Sequence, residues 1–279
     1  MNLVPHLYAD LPPENVFGHR RKVECLRASI DGLRTPQRPH LRILDAGCGS
    51  GHAVTRFLPR YGDEVVGIDM HAPSINYAQS NFGGEELRFV CADLSTLPQS
   101  EGKYDVVVLA DVLEHLDDPL SVLSVAVAKL APGGLLLASI PNGRGPFEIE
   151  SALSRVPVIG RALLKITDLC VALLNKTVLR GVWSRHVYET PSDLPYNGES
   201  GHVQFFSRAQ FMSLLESGGL HTRRISSLSF LAGPFTNYWL APSSSFCSWN
   251  VALANRLPYW AVSAWYFECA RTQQAPSET

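Results

Sequence analysis

The chain has 279 residues and 46% hydrophobic content, which suits one large domain, or a domain with a sizeable insertion, around a full core. A net charge of −2 and a pI near 6.5 exclude the basic surface expected of a nucleic-acid partner. The cysteines (Cys25, Cys48, Cys91, Cys170, Cys247 and Cys269) make no CxxC pair and no Cys/His cluster, which excludes a zinc module and predicts a reducing, cytoplasmic setting without a disulfide frame.

The start, MNLVPHLYADLPPENVF, has no basic region followed by an apolar core, so no signal peptide is predicted. A helical pattern near Glu14–Leu33 places Val16, Val23, Leu26 and Ile30 on one face, and Pro36 and Pro39 end it. Within it, His19-Arg20-Arg21-Lys22 is the densest basic run and reads as a solvated helix face rather than an anion site. Residues 1–40 form a helical N-terminal cap on this reading.

From Leu41 to Asn142 strands and helices alternate. The strands are Leu41–Asp45, Glu64–Asp69, Leu87–Cys91, Tyr104–Ala110 and Leu135–Ile140, short apolar runs of the kind covered on both faces in a parallel sheet. Helices are expected at about His52–Arg60, Pro73–Asn81 and Pro119–Leu130, the last stopped by Pro132-Gly133-Gly134. This alternation implies a doubly wound α/β sheet with right-handed crossovers. Cys48 in the glycine loop and Cys91 in the third strand read as small buried hydrophobes.

Residues 143–201 are too long for a simple connection and carry their own helical pattern, so they form an α-helical insertion. Residues 202–279 return to the core, with a helix at Ser207–Ser217 capped by Ser207. Strands at Thr222–Leu231 and Val262–Arg271 pair as an antiparallel edge ribbon, joined by a long loop over Gly233–Pro258. The apolar tract Val156–Val182 is interrupted by Arg161, Lys165, Asp168, Asn175 and Lys176 and does not read as a spanning helix.

In an open α/β sheet, ligands sit at the carboxyl ends of the strands near the switch point, where the loop Ala46–Gly51 falls. Its glycines read Gly47-Cys48-Gly49-Ser50-Gly51, a GxGxG pattern rather than the GxGxxG of a dinucleotide site, and no GK[ST] ending marks a P-loop. Asp69 closes the second strand, where a carboxylate can accept both ribose hydroxyls of an adenosine. Asp93 follows the third, placed to accept from an adenine amino group.

The segments LDAGCGSG, VVGIDM, VCADL, YDVVVLADVLEHLDDP and LAPGGLLLASIPN, in this order, resemble the motifs of class I S-adenosylmethionine-dependent methyltransferases, and most of all the branch with the ubiquinone-type O-methyltransferases. The resemblance covers residues 41–142 strongly; GHVQFFSRAQFMSLLESGGL and YWAVSAWYFECAR match more loosely. It implies a Rossmann-like, seven-stranded, mostly parallel sheet and S-adenosyl-L-methionine as cofactor, with S-adenosyl-L-homocysteine as product. Carried over residue by residue, Gly47 and Gly49 let the backbone approach the methionine part, Ala46 and Cys48 beside them also contact the cofactor, and Asp45 orders the loop or receives the cofactor's ammonium. Asp69 binds the ribose and Met70 packs on the adenine. Asp93 accepts from the adenine amino group with Leu94 beside it, and Ala110 and Asp111 flank the methionine moiety. Arg20 matches a basic position that reaches the cofactor carboxylate in some relatives. Asp69, Asp93 and Asp111 have an alternative reading as helix caps, and Arg20 as a plain surface charge.

Methyl transfer is an in-line displacement governed by positioning, and an oxygen acceptor needs a general base nearby. His202 and His115 are the candidates for catalysis, with His186, Tyr188 and Glu114 behind them. No Asp/Glu/His set reads as a metal site, so no metal is expected. The insertion and the Gly233–Pro258 loop read as a lid over a small or medium-sized, fairly apolar acceptor, or as a cap that merely packs. The basic-apolar stretch Val156–Trp183 also suits a dimer interface or contact with a membrane surface. The expected activity is O-methylation in a biosynthetic pathway. The alternatives are N- or C-methylation or a non-catalytic S-adenosylmethionine-binding protein.

Overall fold

The computed structural model describes residues 11–96, 102–156, 201–241 and 243–272, with isolated positions between 157 and 195. His186, Tyr188 and nearly all of the stretch Val156–Trp183 lie outside the described residues.

Seven strands form one sheet: β1 (Arg42–Ala46), β2 (Glu64–Asp69), β3 (Leu87–Cys91), β4 (Tyr104–Ala110), β5 (Leu130–Pro141), β6 (Leu220–Ser229) and β7 (Ala264–Arg271). Their order is β3-β2-β1-β4-β5-β7-β6, with β1 to β5 parallel and β7 antiparallel to both of its neighbours. The order reverses between β1 and β4, so a crevice opens there at the carboxyl ends. Register aligns those ends, pairing Ala46 with Ile68, Asp69 with Cys91 and Ala110 with Ser139.

Alternate residues of each strand feed two cores. Leu44, Val66, Val107, Leu109 and Leu136 pack with Trp265 and Phe267 under α3 (Pro119–Ala128) and α5 (Arg208–Ser217). Ile43, Val65, Phe89, Val106 and Leu137 pack under α1 (His19–Asp31) and α2 (Ala72–Phe82). Val23, Leu26 and Ile30 turn inward as their spacing requires, and Ser207 closes a capping box with Gln210 at the start of α5. Helix α1 begins at His19 rather than Glu14, because the Asn15 Oδ1 accepts the Phe17 and His19 N–H groups and Glu14 accepts that of Arg21.

Two expected elements differ. The helix expected over His52–Arg60 is only a 3₁₀ turn, Thr55–Phe57. Thr55 turns its hydroxyl to Asp45, Arg27 takes the Phe57 carbonyl, and Pro59 offers no N–H, so the helical ladder has nothing to extend it. The expected loop Gly233–Pro258 instead holds α6 (Pro234–Leu240) and α7 (Ser244–Ala254). Pro234 stands in the first turn of α6, and Ser243 caps α7 by accepting the Phe246 N–H at 3.2 Å. Within the insertion, α4 (Pro146–Arg155) is described. Cys91 is exposed, not buried, at the open end of β3. Among the described residues no helix is long and apolar enough to cross a membrane.

Candidate active site

The glycine loop leaves β1 with both Gly47 N–H and Cys48 N–H bonded to the Ile68 carbonyl, at 2.7 and 3.0 Å. Its three glycines serve different ends. A Cβ on Gly47 would stand 2.5 Å from Val112, and one on Gly51 would stand 2.7 Å from Phe89, so fold packing claims both positions. Gly49, at φ 54°, has nothing within 4 Å of where its Cβ would be and faces open space, so it alone leaves room for a ligand.

Asp69 ties this loop to β2. One carboxylate oxygen accepts the Gly49 N–H at 2.9 Å and the other the His71 N–H at 2.8 Å, leaving outward lone pairs for hydroxyl donors. Beside it Met70 is 71% exposed, an apolar ledge for a flat ring. Asp93 is exposed and accepts from both the Ser95 N–H and its hydroxyl; these bonds hold its carboxyl below the usual range. Leu94 and Ala110 are half-buried nearby. Asp45 sits behind the loop at 1% exposure, with the Thr55 hydroxyl donating to it at 2.7 Å. Burial pushes its carboxyl up from 3.8 to about 6. With Gly49 open and Met70 exposed next to the Asp69 carboxylate, these residues fit an adenosine bearing an amino-acid tail.

A cavity of about 480 Å³ lies on the other side of Asp111, against the ends of β5 to β7. Asp111 is held at φ 57°, in the left-handed region uncommon for a residue with a side chain. Its carboxylate accepts the Ser139 hydroxyl at 2.6 Å and pairs with Lys22. Burial works against the ionised form, but Lys22 and Ser139 outweigh it and hold the carboxyl below its usual range. The basic run on α1 is therefore not a uniformly solvated face. Arg20 pairs with Glu24 at 3.1 Å on the outside, while Lys22 is buried and lines the cavity. His19 lies beside it, its pKa lowered by burial to about 4, and carries no charge at neutral pH.

The far wall brings together residues distant in sequence. His202 Nδ1 stands 2.7 Å from Glu148 of α4. A carboxylate only accepts, so Nδ1 carries the proton of this hydrogen bond. His115 Nδ1 likewise donates to the Gly201 carbonyl at 3.1 Å, and the two imidazoles lie edge to face, 5.0 Å apart. Glu114, 1% exposed, lines the same cavity, and among the described residues neither carboxylate oxygen has a hydrogen-bond partner. Burial, reinforced by the charge of Asp111, raises its pKa well above the usual carboxylate range. Ligand atoms of Glu114, His115 and His202 lie within 4.8 Å of one another, a spacing a divalent cation could use. Sequence reading found no such set because His202 joins it only through the fold. It also missed Lys22, Thr55 and Glu148; only Lys22, inside a run already singled out, gave any signal.

The family model described as "Methyltransferase domain" matches residues 17–224. The ubiquinone biosynthesis O-methyltransferase of Acinetobacter baylyi is 25% identical over 206 residues, which cover 72% of each chain. Its counterpart in Acinetobacter baumannii is 28% identical over 207 residues, again 72% of each. The Coxiella burnetii enzyme of the same name is 30% identical over 102 residues, 36% of this chain and 43% of its own. Among solved structures, magnesium protoporphyrin IX methyltransferase from Synechocystis, with bound S-adenosylhomocysteine, aligns over 98% of this chain and 88% of its own, at TM-score 0.50 and 19% identity. The [4+2]-cyclase SpnF aligns over 95% and 89%, at TM-score 0.52 and 13% identity.

Proposed function

We propose that this chain, which belongs to the methyltransferase-domain family and is an S-adenosylmethionine-dependent methyltransferase, methylates an oxygen of a small, fairly apolar acceptor held in the cavity beside Asp111. The observation that carries the choice of oxygen is the His202–Glu148 pair on the cavity wall. The ubiquinone O-methyltransferases among its relatives support it.

S-adenosylmethionine supplies an electrophilic methyl on a sulfonium and leaves as S-adenosylhomocysteine. Gly49, Asp69, Met70, Asp93 and Leu94 would hold its adenosine side, and Asp111 its amino-acid end, with Asp45 ordering the loop from behind. His202 takes the acceptor's hydroxyl proton on Nε2, and Glu148 stabilises the imidazolium that forms. Phe147 packs on the His202 ring at 5.4 Å and fixes its orientation. Helix α4 contributes Phe147, Glu148 and Ser151 to this wall and acts as the lid over the acceptor.

Calorimetry with S-adenosylhomocysteine against NAD tests the cofactor, and tight NAD binding alone would sink it. Transfer of a labelled methyl to a panel of phenols, hydroxy acids and amines tests the acceptor. The expected product is a methyl ether or ester, formed at least about a hundredfold more slowly by His202→Ala. Labelled amines, or an unaffected His202→Ala rate on hydroxyl acceptors, would overturn the oxygen assignment.

A further inference from the structure

We propose that the acceptor carries an oxyanion, a carboxylate or a phosphate ester, and that Arg155 at the end of α4 takes it while His202 faces the hydroxyl to be methylated. This rests on the acceptor reading of the cavity and adds one charged group to a body that is otherwise apolar.

Helix α4 is turned the wrong way round for a purely apolar ligand. Glu148, Ser151 and Arg155 recur at i, i+3 and i+7, so they share one face, and all three line the cavity. Ile149 and Leu153 stand on the other face, 56% and 38% exposed. A lid that met only hydrocarbon would bury those two and expose the polar three. The wall also holds polar atoms in want of a partner: among the described residues, the buried Ser229 hydroxyl and both Glu114 carboxyl oxygens have none. Such groups cost free energy until an occupant satisfies them.

Charge singles out Arg155. Lys22 is paired with Asp111, and His202 with Glu148. Burial lowers the pKa of His19 to about 4 and lowers that of His115 too, so both rings are mainly neutral at pH 7. Among the described residues Arg155 is therefore the one cation lining the cavity without an ion pair. It is exposed, so its unpaired charge costs the free protein little.

Helix geometry sets the anion's distance. Side chains lean toward the N-terminus of their helix, so Arg155 extends back over Ser151 toward Glu148. Seven residues separate Arg155 from Glu148, about 10 Å along the axis, and the arginine stem spans part of that. A hydroxyl at His202 and an anion at Arg155 are then about 5–10 Å apart, the length of one aromatic ring with a short side chain. The planar guanidinium meets a carboxylate or phosphate with two parallel hydrogen bonds.

The test is calorimetry on the full chain saturated with S-adenosylhomocysteine, using 4-hydroxyphenylacetate, its uncharged amide and 4-hydroxybenzylphosphonate. The parent should bind the anions at least about tenfold more tightly than the amide. Arg155→Gln should weaken the anions to the level of the amide and leave the amide unchanged. Arg155→Lys, which keeps the charge without the fork, should recover part of the loss. The tighter of the two anions tells a carboxylate acceptor from a phosphate ester. A preference that survives Arg155→Gln overturns the proposal, as does a parent that binds anion and amide alike or binds no anion. Labelled methyl transfer to 4-aminophenylacetate and its amide keeps this proposal apart from the oxygen assignment. A methylated amine with an Arg155-dependent preference for the acid would sink the oxygen assignment and leave the proposal standing, whereas hydroxyl methylation indifferent to the anion would do the reverse.

Discussion

Asp45 is a buried acid behind the glycine loop, and replacing it with asparagine separates stability from binding. The carboxylate is 1% exposed. Burial lifts its pKa from 3.8 to about 6, with Thr55 and Lys22 opposing the rise and Asp69 adding to it. Because the folded value lies above the unfolded one, the folded chain binds the extra proton through this window, and stability falls as pH rises through it. At 1.36 kcal/mol per pKa unit, a rise of about two units makes the ionised form cost roughly 3 kcal/mol above pH 7, and roughly half that at pH 5. Asparagine keeps an acceptor oxygen for Thr55 and carries no charge. Asp45→Asn should therefore raise the unfolding free energy by up to about 3 kcal/mol at pH 8 and by about half as much at pH 5. The same change removes a negative charge from behind the loop, and S-adenosylmethionine, which carries a sulfonium, should lose more affinity than S-adenosylhomocysteine, by about tenfold. Urea denaturation at the two pH values and calorimetry with both ligands measure these effects. A variant less stable than the parent at pH 8, or a stability gain that does not shrink at pH 5, would refute the reasoning.

The glycine assignments predict opposite losses. Gly47→Ala should cost about 1–3 kcal/mol of stability by overpacking, partly relieved by Val112→Ala in denaturation curves, because its Cβ would meet Val112 at 2.5 Å. Gly49→Ala, with open space at its Cβ, should cost only about 1–2 kcal/mol for its left-handed backbone, yet weaken S-adenosylhomocysteine by more than about tenfold in calorimetry. Glu150 of α4 accepts the Phe235 and Thr236 N–H groups at 3.1 and 2.9 Å, and the Thr236 hydroxyl, at the start of α6. Glu150→Ala should therefore destabilise the chain by about 2 kcal/mol in denaturation, with Glu150→Gln recovering part of that.

The central sheet was legible because each of its strands is a local statement. Glu64–Asp69 and Tyr104–Ala110 are largely apolar runs buried on both faces, Leu87–Cys91 at the sheet edge is buried on one face, and the structure keeps all three limits. The connection after the glycine loop was misread for the opposite reason. Its apolar spacing suits a helix, but Thr55 and Phe57 spend their polar groups on Asp45 and Arg27, contacts that no local window contains. The α6–α7 segment looked like a loop because serines and prolines that favour turns also cap and start helices.

The site divides along the same line. Its cofactor side falls at the ends of neighbouring strands, so Gly49, Asp69 and Asp93 follow from motif order and a single switch point. The cavity beyond Asp111 is built across the chain: Lys22 meets Asp111 over 89 residues and Glu148 meets His202 over 54. Helices α1 and α4, which supply Lys22 and Glu148, lie outside the strand-end motifs, and nothing in the composition of either helix marks those residues as inward-facing. Even within the glycine motif the three positions, which share a left-handed backbone at φ 85°, 54° and 68°, differ in what surrounds them. A Cβ would meet Val112 at Gly47 and Phe89 at Gly51, whereas at Gly49 it would face open space. A motif read as a unit thus mixes residues selected by packing with residues selected by the ligand, and only substitutions that separate stability from affinity, one glycine at a time, can tell the two apart.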